Sequence, residues 1–287
     1  MSVKLFCART FPTVVERKAS TMAQHFIHYV PRRIILRFPD NPSHPWFAEA
    51  QVPSAGFDQP LFHTSHRKTG PTQQIREGDT LWIIGQIFSP WGVLAPGLDA
   101  TIEVERVERA GDGKLRFVAS EQSRWYALSD VTRVLPLLRT VTAAGQSNPL
   151  HQNDVAPIGQ CLQSIRQLES AAPLQLYVEQ LRRQPLNFIS YRICDGTRAA
   201  FEKTKALMGA GQPVFWDRWC LPRRLAERRE LVSHDALDQY LMKRMASAAL
   251  VWGIESPAYS IPGSYSEKEK HQAMQLGIYQ PVPCWPA

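Results

Sequence analysis

The chain has 287 residues, 44% of them apolar and 21% charged, close to the average for globular proteins. That length accommodates two ordinary domains with real cores, and the composition excludes disorder throughout. No run of eighteen apolar residues occurs, which argues against a membrane-spanning helix, and the formal charge of +7 permits anionic partners without requiring them. The five cysteines, Cys7, Cys161, Cys194, Cys220 and Cys284, are scattered and odd in number. That is the pattern of reduced thiols in a cytoplasmic protein, not of a disulfide framework or a CxxC zinc site.

Residues 1–23 read as a flexible leader, since their short apolar stretch is broken by Arg9 and Pro12 and makes a poor signal peptide. Residues 24–145 read as a β-rich domain. Arg33 to Phe38, Thr80 to Gly85, Thr101 to Val107 and Lys114 to Ala119 are short strand candidates, alternating or largely apolar and punctuated by Gly, Pro, Asp and Asn. Arg109 to Lys114 suits a hairpin loop, because Gly and Asp tolerate positive φ. Strands at this spacing predict a small all-β barrel or sandwich. His25 and His28, and again His63 and His66, have the spacing of metal ligands, but no companion Cys or acidic cluster follows and no metal site is expected. Trp82, Trp91 and Trp125 are expected in the barrel core; the competing reading makes them a nucleic-acid stacking platform beside Arg33, Arg37, Arg106 and Arg116.

Gly145 to Pro149 reads as a linker. Residues 155–184 change to helical spacing, with Ile158, Leu162, Ile165 and Leu168 on one stripe, a break at Pro173, and Leu174, Tyr177, Val178 and Leu181 continuing it. A helical linker is predicted there. From residue 185 to 287 the pattern is βαβα. Strands are predicted at Leu186 to Tyr191, Pro213 to Asp217 and Ala249 to Ile254, with helices at Thr197 to Gly209, from about His234, and from about Ser264. Such alternation implies a parallel sheet whose ligands bind beyond the carboxyl ends of the strands.

The residues with chemical potential fall at those strand ends. Phe188-Ile189-Ser190-Tyr191-Arg192 closes the first strand and Val214-Phe215-Trp216-Asp217 the second; Ser256-Pro257-Ala258-Tyr259 follows the third. The next helix opens with Tyr265-Ser266-Glu267-Lys268-Glu269. This ordered set resembles the TIR (Toll/interleukin-1 receptor) family, bacterial NAD+-consuming type, over roughly residues 186 to 280. The family shows FISYR, V-F-x-D, SPxY and W-C-x-x-E in this order; here Tyr265 stands for the Trp and Ser266 for the Cys.

The resemblance implies a flavodoxin-like α/β domain that cleaves the nicotinamide–ribose bond of NAD+, taken as substrate with no cofactor. Glu269 would be the catalytic carboxylate. Ser190, Tyr191, Arg192, Asp217, Trp219, Ser264 and Tyr265 would bind substrate: Tyr191 stacking on a base, Arg192 meeting the diphosphate, Asp217 and the loop Arg218 to Arg224 forming a mobile wall with Trp219 as a stacking ring, and Ser264 and Tyr265 framing the pocket. One carboxylate suffices chemically, because nicotinamide leaves neutral from a cationic precursor and the transition state needs only its sugar charge stabilised. Glu267 competes with Glu269 but points to another helix face. The family also implies activation by homo-oligomerisation, a role in antiviral defence, and an N-terminal β domain that senses a protein or nucleic-acid trigger. The run Arg223 to Arg229 reads as a solvated basic face or a subunit contact. The C-terminus leaves no room for the family's fifth strand and last helix, so the sheet is expected to be trimmed, or completed by the N-terminal part or a second subunit. Two alternatives stand beside this reading: a non-catalytic TIR interaction module, and a nucleoside deoxyribosyltransferase-like N-glycosidase.

Overall fold

Apolar alternation and glycine-bounded turns produce strands through the first half of the chain, in the order β1 (His25–Arg33), β2 (Phe62–Ser65), β3 (Thr80–Ser89), β4 (Gly92–Val93), β5 (Gly97–Arg109), β6 (Leu115–Ala119), β7 (Arg124–Trp125), β8 (Arg139–Val141) and β9 (Ser147–Pro149). The structure, a computed structural model, describes residues 23–33, 59–67, 70–109, 113–151, 157–221 and 234–284. The leader at 1–22, the strand expected beyond Arg33, and the basic run at 223–229 lie outside them. Next come helix α1 (Ile158–Cys161), β10 (Arg166–Leu168), helix α2 (Ala172–Arg183), β11 (Asn187–Tyr191), α3 (Ile193–Gly209), β12 (Val214–Phe215) and the short α4 (Asp217–Cys220). The chain continues through α5 (His234–Ala246), β13 (Leu250–Glu255), α6 (Tyr265–Gln275) and β14 (Tyr279–Pro283).

The fold is mixed α/β, built on one large mixed sheet and one parallel sheet. The large sheet runs β2-β6-β5-β3-β1-β10-β8-β9, with β4 on β3 and β7 on β5. It differs from the small barrel predicted. β1 pairs in parallel with β3 on one side and antiparallel with β10 on the other, and among the described residues β2 and β9, at the ends of the path, do not pair to close a ring. The sheet does roll: β5 passes from β3 to β6 across an irregularity between Val104 and Arg106, and His28 on β1 reaches His63 on β2 at 2.8 Å. Trp82 and Trp125 are buried in its cores, while Trp91 packs on Phe201 of α3.

Two further expectations are corrected here. Gly145 to Pro149 is half of a hairpin, β8 pairing with β9, and not a linker. The helical stripe over 155–184 is divided: Ile158, Leu162 and Leu168 are buried in one cluster and Ile165 in another, but Arg166–Leu168 is a strand between β1 and β8. Apolar residues at spacings of three and four satisfy a helix, yet they equally satisfy a short helix, a turn and an edge-filling strand. Pro173 does not break a helix but stands in the first turn of α2, where its missing N–H costs nothing.

The parallel sheet has the order β12-β11-β13-β14. The chain moves outward in one direction from β11 to β12, then crosses back to β13 and on to β14. Strand order therefore reverses between β11 and β13, the place where ligands of such sheets bind. Both edges of this sheet are closed. At β12, Leu128 of the large sheet's chain exchanges two backbone hydrogen bonds with Val214, of 2.9 and 2.8 Å. At β14, Val251 N–H donates to the Ile278 carbonyl, so even-numbered residues face β13 and odd ones face outward. The outward positions include Pro281 and Pro283, which have no N–H to offer a further strand. A single bridge from Leu128 thus covers the β12 edge, and among the described residues no strand pairs with β14 on its outer side, where a fifth strand would lie.

One core spans the junction, since Ile87, Leu94 and Leu128 cluster with Phe188, Phe215, Trp216 and Trp219. At β13, a Cβ built on Gly253 would lie 2.3 Å from the Tyr279 hydroxyl. Gly253→Ala is expected to lower stability by about 1–3 kcal/mol through overpacking, read as a shifted urea midpoint at constant slope.

Candidate active site

The site is assembled on α6. Its inward face is Ser266, Glu269 and Ala273, spaced at three and four residues. A helix that packs by apolar contact would place Leu or Ile at the middle of such a face. Here the middle position is a carboxyl, only 7% exposed. Ser264 caps the helix start by accepting the Glu267 N–H at 3.2 Å, and Glu267 reaches back to the Gly263 N–H at 2.6 Å. This reciprocal pair is close to a capping box and explains the role of Glu267: it caps the start of the helix, and leaves Glu269 as the inward acid.

Glu269 Oε2 accepts from the Ser190 hydroxyl on β11 at 2.5 Å, and Ser190 in turn accepts from the Tyr259 hydroxyl at 2.9 Å. All three side chains are buried. Burial pushes the Glu269 carboxyl up to about 8; the Ser190 hydrogen bond opposes this, and the nearby charges of Asp217 and Asp238 add to it. The Tyr259 phenol is likewise pushed up to about 12 by burial. Tyr259 sits in the turn after β13, and that turn is held from α3: Asp195 accepts from the Ser256 hydroxyl at 2.6 Å and from the Ala258 N–H at 2.8 Å.

A second network adjoins the first. The Tyr191 hydroxyl donates to Asp217 Oδ1 at 2.7 Å and accepts from Arg218 Nε at 2.8 Å. Burial, then the Asp217 charge, drives the Tyr191 phenol well above its ordinary value. Its ring is therefore an internal hub of the strand ends, not the exposed stacking surface expected of it. Arg192, one residue on, starts α3 half-exposed and has no side-chain partner among the described residues. Asp217 stands at the first position of α4, partly exposed.

Two expected ligand contacts are placed elsewhere. Trp219 is 1% exposed, its indole set against Gly85 on β3 and Gly97 on β5, so it is a core residue of the junction and presents no face to a ligand. Tyr265 is 41% exposed at the start of α6, with Lys268 Nζ 5.5 Å from its ring centroid, so it lies on the outer face of the helix and not against Glu269. The wall from Pro222 to Arg224 lies outside the described residues. The structure thus joins Ser190 to Glu269 and brings Tyr191 and Asp217 together beside them. It adds Tyr259, Asp238 and Asp195, to which the sequence assigned no role, and bonds Arg218, expected only in the loop wall, to Tyr191. Tyr259 stands within a quoted motif; for Asp195 and Asp238, on helix faces remote in sequence, no local signal existed.

The cavities found at Gln24 and Asp79, at Thr72 and Leu115, and at Trp125 and Phe215 have no lining residue in common with this network. Among the described residues no three His, Cys, Asp or Glu side chains converge as metal ligands, and no helix is long and apolar enough to cross a membrane. Comparison with protein-family models, with curated proteins and with solved structures gives no match to this chain.

Proposed function

We propose that the chain is a TIR-type NAD+ glycohydrolase in which Glu269 is the catalytic carboxylate. One observation carries this reading: a carboxyl is buried at the strand-order reversal of a parallel sheet, where packing alone would favour an apolar side chain. The strand order β12-β11-β13-β14 corresponds to the first four positions of a flavodoxin-like sheet, and the four TIR-like motifs fall on its strand ends and on α6.

In the proposed reaction the bond from C1′ of the ribose to the nicotinamide nitrogen breaks, and its electron pair leaves with neutral nicotinamide. Glu269, ionised, stabilises the positive charge that spreads over C1′ and the ring oxygen, and hydrogen-bonds the sugar hydroxyls. Water then adds to C1′ and releases a proton, giving ADP-ribose; a hydroxyl of the substrate itself in place of water gives a cyclic product. Arg192, half-exposed and unpartnered among the described residues, would meet the diphosphate.

The raised pKa fits this use. In the empty site the carboxyl is largely neutral at pH 7, and a cationic substrate favours its ionised form. The rate should therefore rise with pH: kcat/KM through an acid limb near pH 8, set by the free enzyme, and kcat through a limb at lower pH, set by the complex. Steady-state profiles from pH 5 to 9.5 check both limbs. A pH-independent kcat/KM over that range would remove Glu269 from the chemistry.

At 7% exposure Glu269 needs its surroundings to open before a sugar can reach it, which supports activation by assembly or by a trigger acting through the large sheet. A cytoplasmic location and a part in antiviral defence belong to the same proposal and rest on the motif resemblance. The direct test is nicotinamide release from NAD+, measured by chromatography on the protein alone and concentrated with crowding agents to drive assembly. No release in either state overturns the proposal. The same low exposure favours the second reading, an interaction module of this fold in which Glu269 is structural. In that case Glu269→Gln leaves partner binding and assembly unchanged.

A further inference from the structure

We infer that Tyr259 is a positioning residue that acts through Ser190 to fix the orientation of the Glu269 carboxyl. The inference rests on Glu269 being the working group of the proposed reaction. Its basis is geometric. Three buried side chains from three elements form one directional chain: the Tyr259 proton lies on Ser190 Oγ at 2.9 Å, and the Ser190 proton lies on Glu269 Oε2 at 2.5 Å. A serine hydroxyl has one proton, and while Tyr259 donates to its oxygen the proton is turned toward Glu269. Oε2 is thereby committed, and Oε1, which takes no hydrogen bond among the described residues, is the oxygen left for the sugar hydroxyls.

Tyr259 is itself held on both sides. Its carbonyl accepts from the Ser266 hydroxyl at 2.6 Å, one helical turn before Glu269, and its N–H donates to the Ser256 carbonyl at 3.0 Å. Ser256 is fixed to Asp195 at 2.6 Å. The ring is 0% exposed. A tyrosine fastened at its backbone and wholly enclosed keeps its hydroxyl in one place, which is what an orienting group requires.

The groups that face Glu269 electrostatically are Asp217 from α4 and Asp238 from α5, the latter paired with Lys268 at 3.8 Å. Glu255, Lys270 and Tyr279 lie behind Tyr259, with Tyr279 donating to Glu255 at 2.9 Å and Lys270 Nζ 5.8 Å from the Tyr259 ring. The Ser190 bond is the one contact that favours the ionised form of Glu269 against burial and two like charges. Freeing the Ser190 proton to turn elsewhere weakens that contact.

Tyr259→Phe keeps the ring and removes only the donor. It should lower kcat at pH 7 roughly three- to tenfold, leave KM within about twofold, and move the acid limb of kcat/KM up by about half a unit or more. Ser190→Ala should do at least as much, and adding Tyr259→Phe to it should change nothing further, since the tyrosine then has no route to Glu269. Equal effects of Tyr259→Phe in both backgrounds would overturn the inference, as would a change confined to KM. Independently of turnover, the Glu269 pKa is read by carboxyl 13C NMR on Glu-labelled protein, with Glu269→Gln assigning the resonance. A protein that releases no nicotinamide defeats the proposed function alone. A Glu269 pKa that Tyr259→Phe leaves in place defeats this inference alone.

Discussion

Glu269→Gln should reduce NAD+ turnover by a factor of about a hundred or more while making the folded protein more stable in alkaline solution. The first effect follows from removing the charge that meets the sugar cation, since the amide is neutral at every pH. The second follows from linkage. The carboxyl has a folded-state value of about 8, against an ordinary value of 4.5, so between these limits the folded state holds more protons than the unfolded one. Stability then falls as pH rises from about 4.5 to 8, and the loss is complete above 8. A shift of that size caps the penalty at about 5 kcal/mol, and relaxation around the ionised group makes the realised value smaller. Urea unfolding of both proteins at pH 5 and pH 9 checks the sign. The variant's advantage should be small at pH 5 and clear at pH 9. If the gap stays constant, Glu269 does not titrate in the folded protein as its burial implies.

Trp219→Ala should cost about 3–5 kcal/mol. The indole fills a notch that exists because two strands of the large sheet have glycine where it enters. A Cβ on Gly85 would stand 2.8 Å from the indole Cη2, and one on Gly97 would stand 3.2 Å from the same atom. Leu128, Ile87 and Leu94 belong to the same cluster. Gly85→Ala should therefore destabilise the intact protein by about 1–3 kcal/mol and cost clearly less once Trp219 is Ala, because the new methyl then enters the vacated space. Equal costs of Gly85→Ala in both backgrounds would show that the notch does not hold the ring. The contact has a functional side. Trp219 follows Asp217 and Arg218 on the four residues of α4, so the large sheet grips the segment that holds Tyr191.

The βαβ rhythm of the second half was legible because its strands are short apolar runs and its helices are one-sided over three or four turns. Asn187–Tyr191, Leu250–Glu255 and the helices at His234 and Tyr265 fall close to their predicted places. Glu269 could be singled out from Glu267 for a reason the sequence contains: Glu267 lies three residues after Ser264, the position of a capping acid. The first half was legible as strands but not as a topology. The parallel pairing of β1 with β3 and the insertion of β10 beside β1 depend on contacts between residues far apart in sequence, which local alternation does not encode.

The aromatic residues mark the boundary most clearly. Tyr191, Trp219 and Tyr265 all stood near strand ends or the helix start, and the resemblance offered the first two as stacking rings and the third as a pocket wall. The structure buries two of them and exposes the third on the far side of α6. An aromatic side chain has the same chemistry in a cleft and in a core; only its neighbours distinguish the two, and Gly85 and Gly97 are more than a hundred residues from Trp219. By itself the sequence determined three of the four strands of the parallel sheet, the start of α6 near Ser264 and the helix face that Glu269 takes apart from Glu267, because helix and strand periodicities are local. The tertiary structure decided what that carboxyl meets. Burial of Glu269, with the charges of Asp217 and Asp238, raises its pKa, while Ser190, backed by Tyr259, opposes the rise.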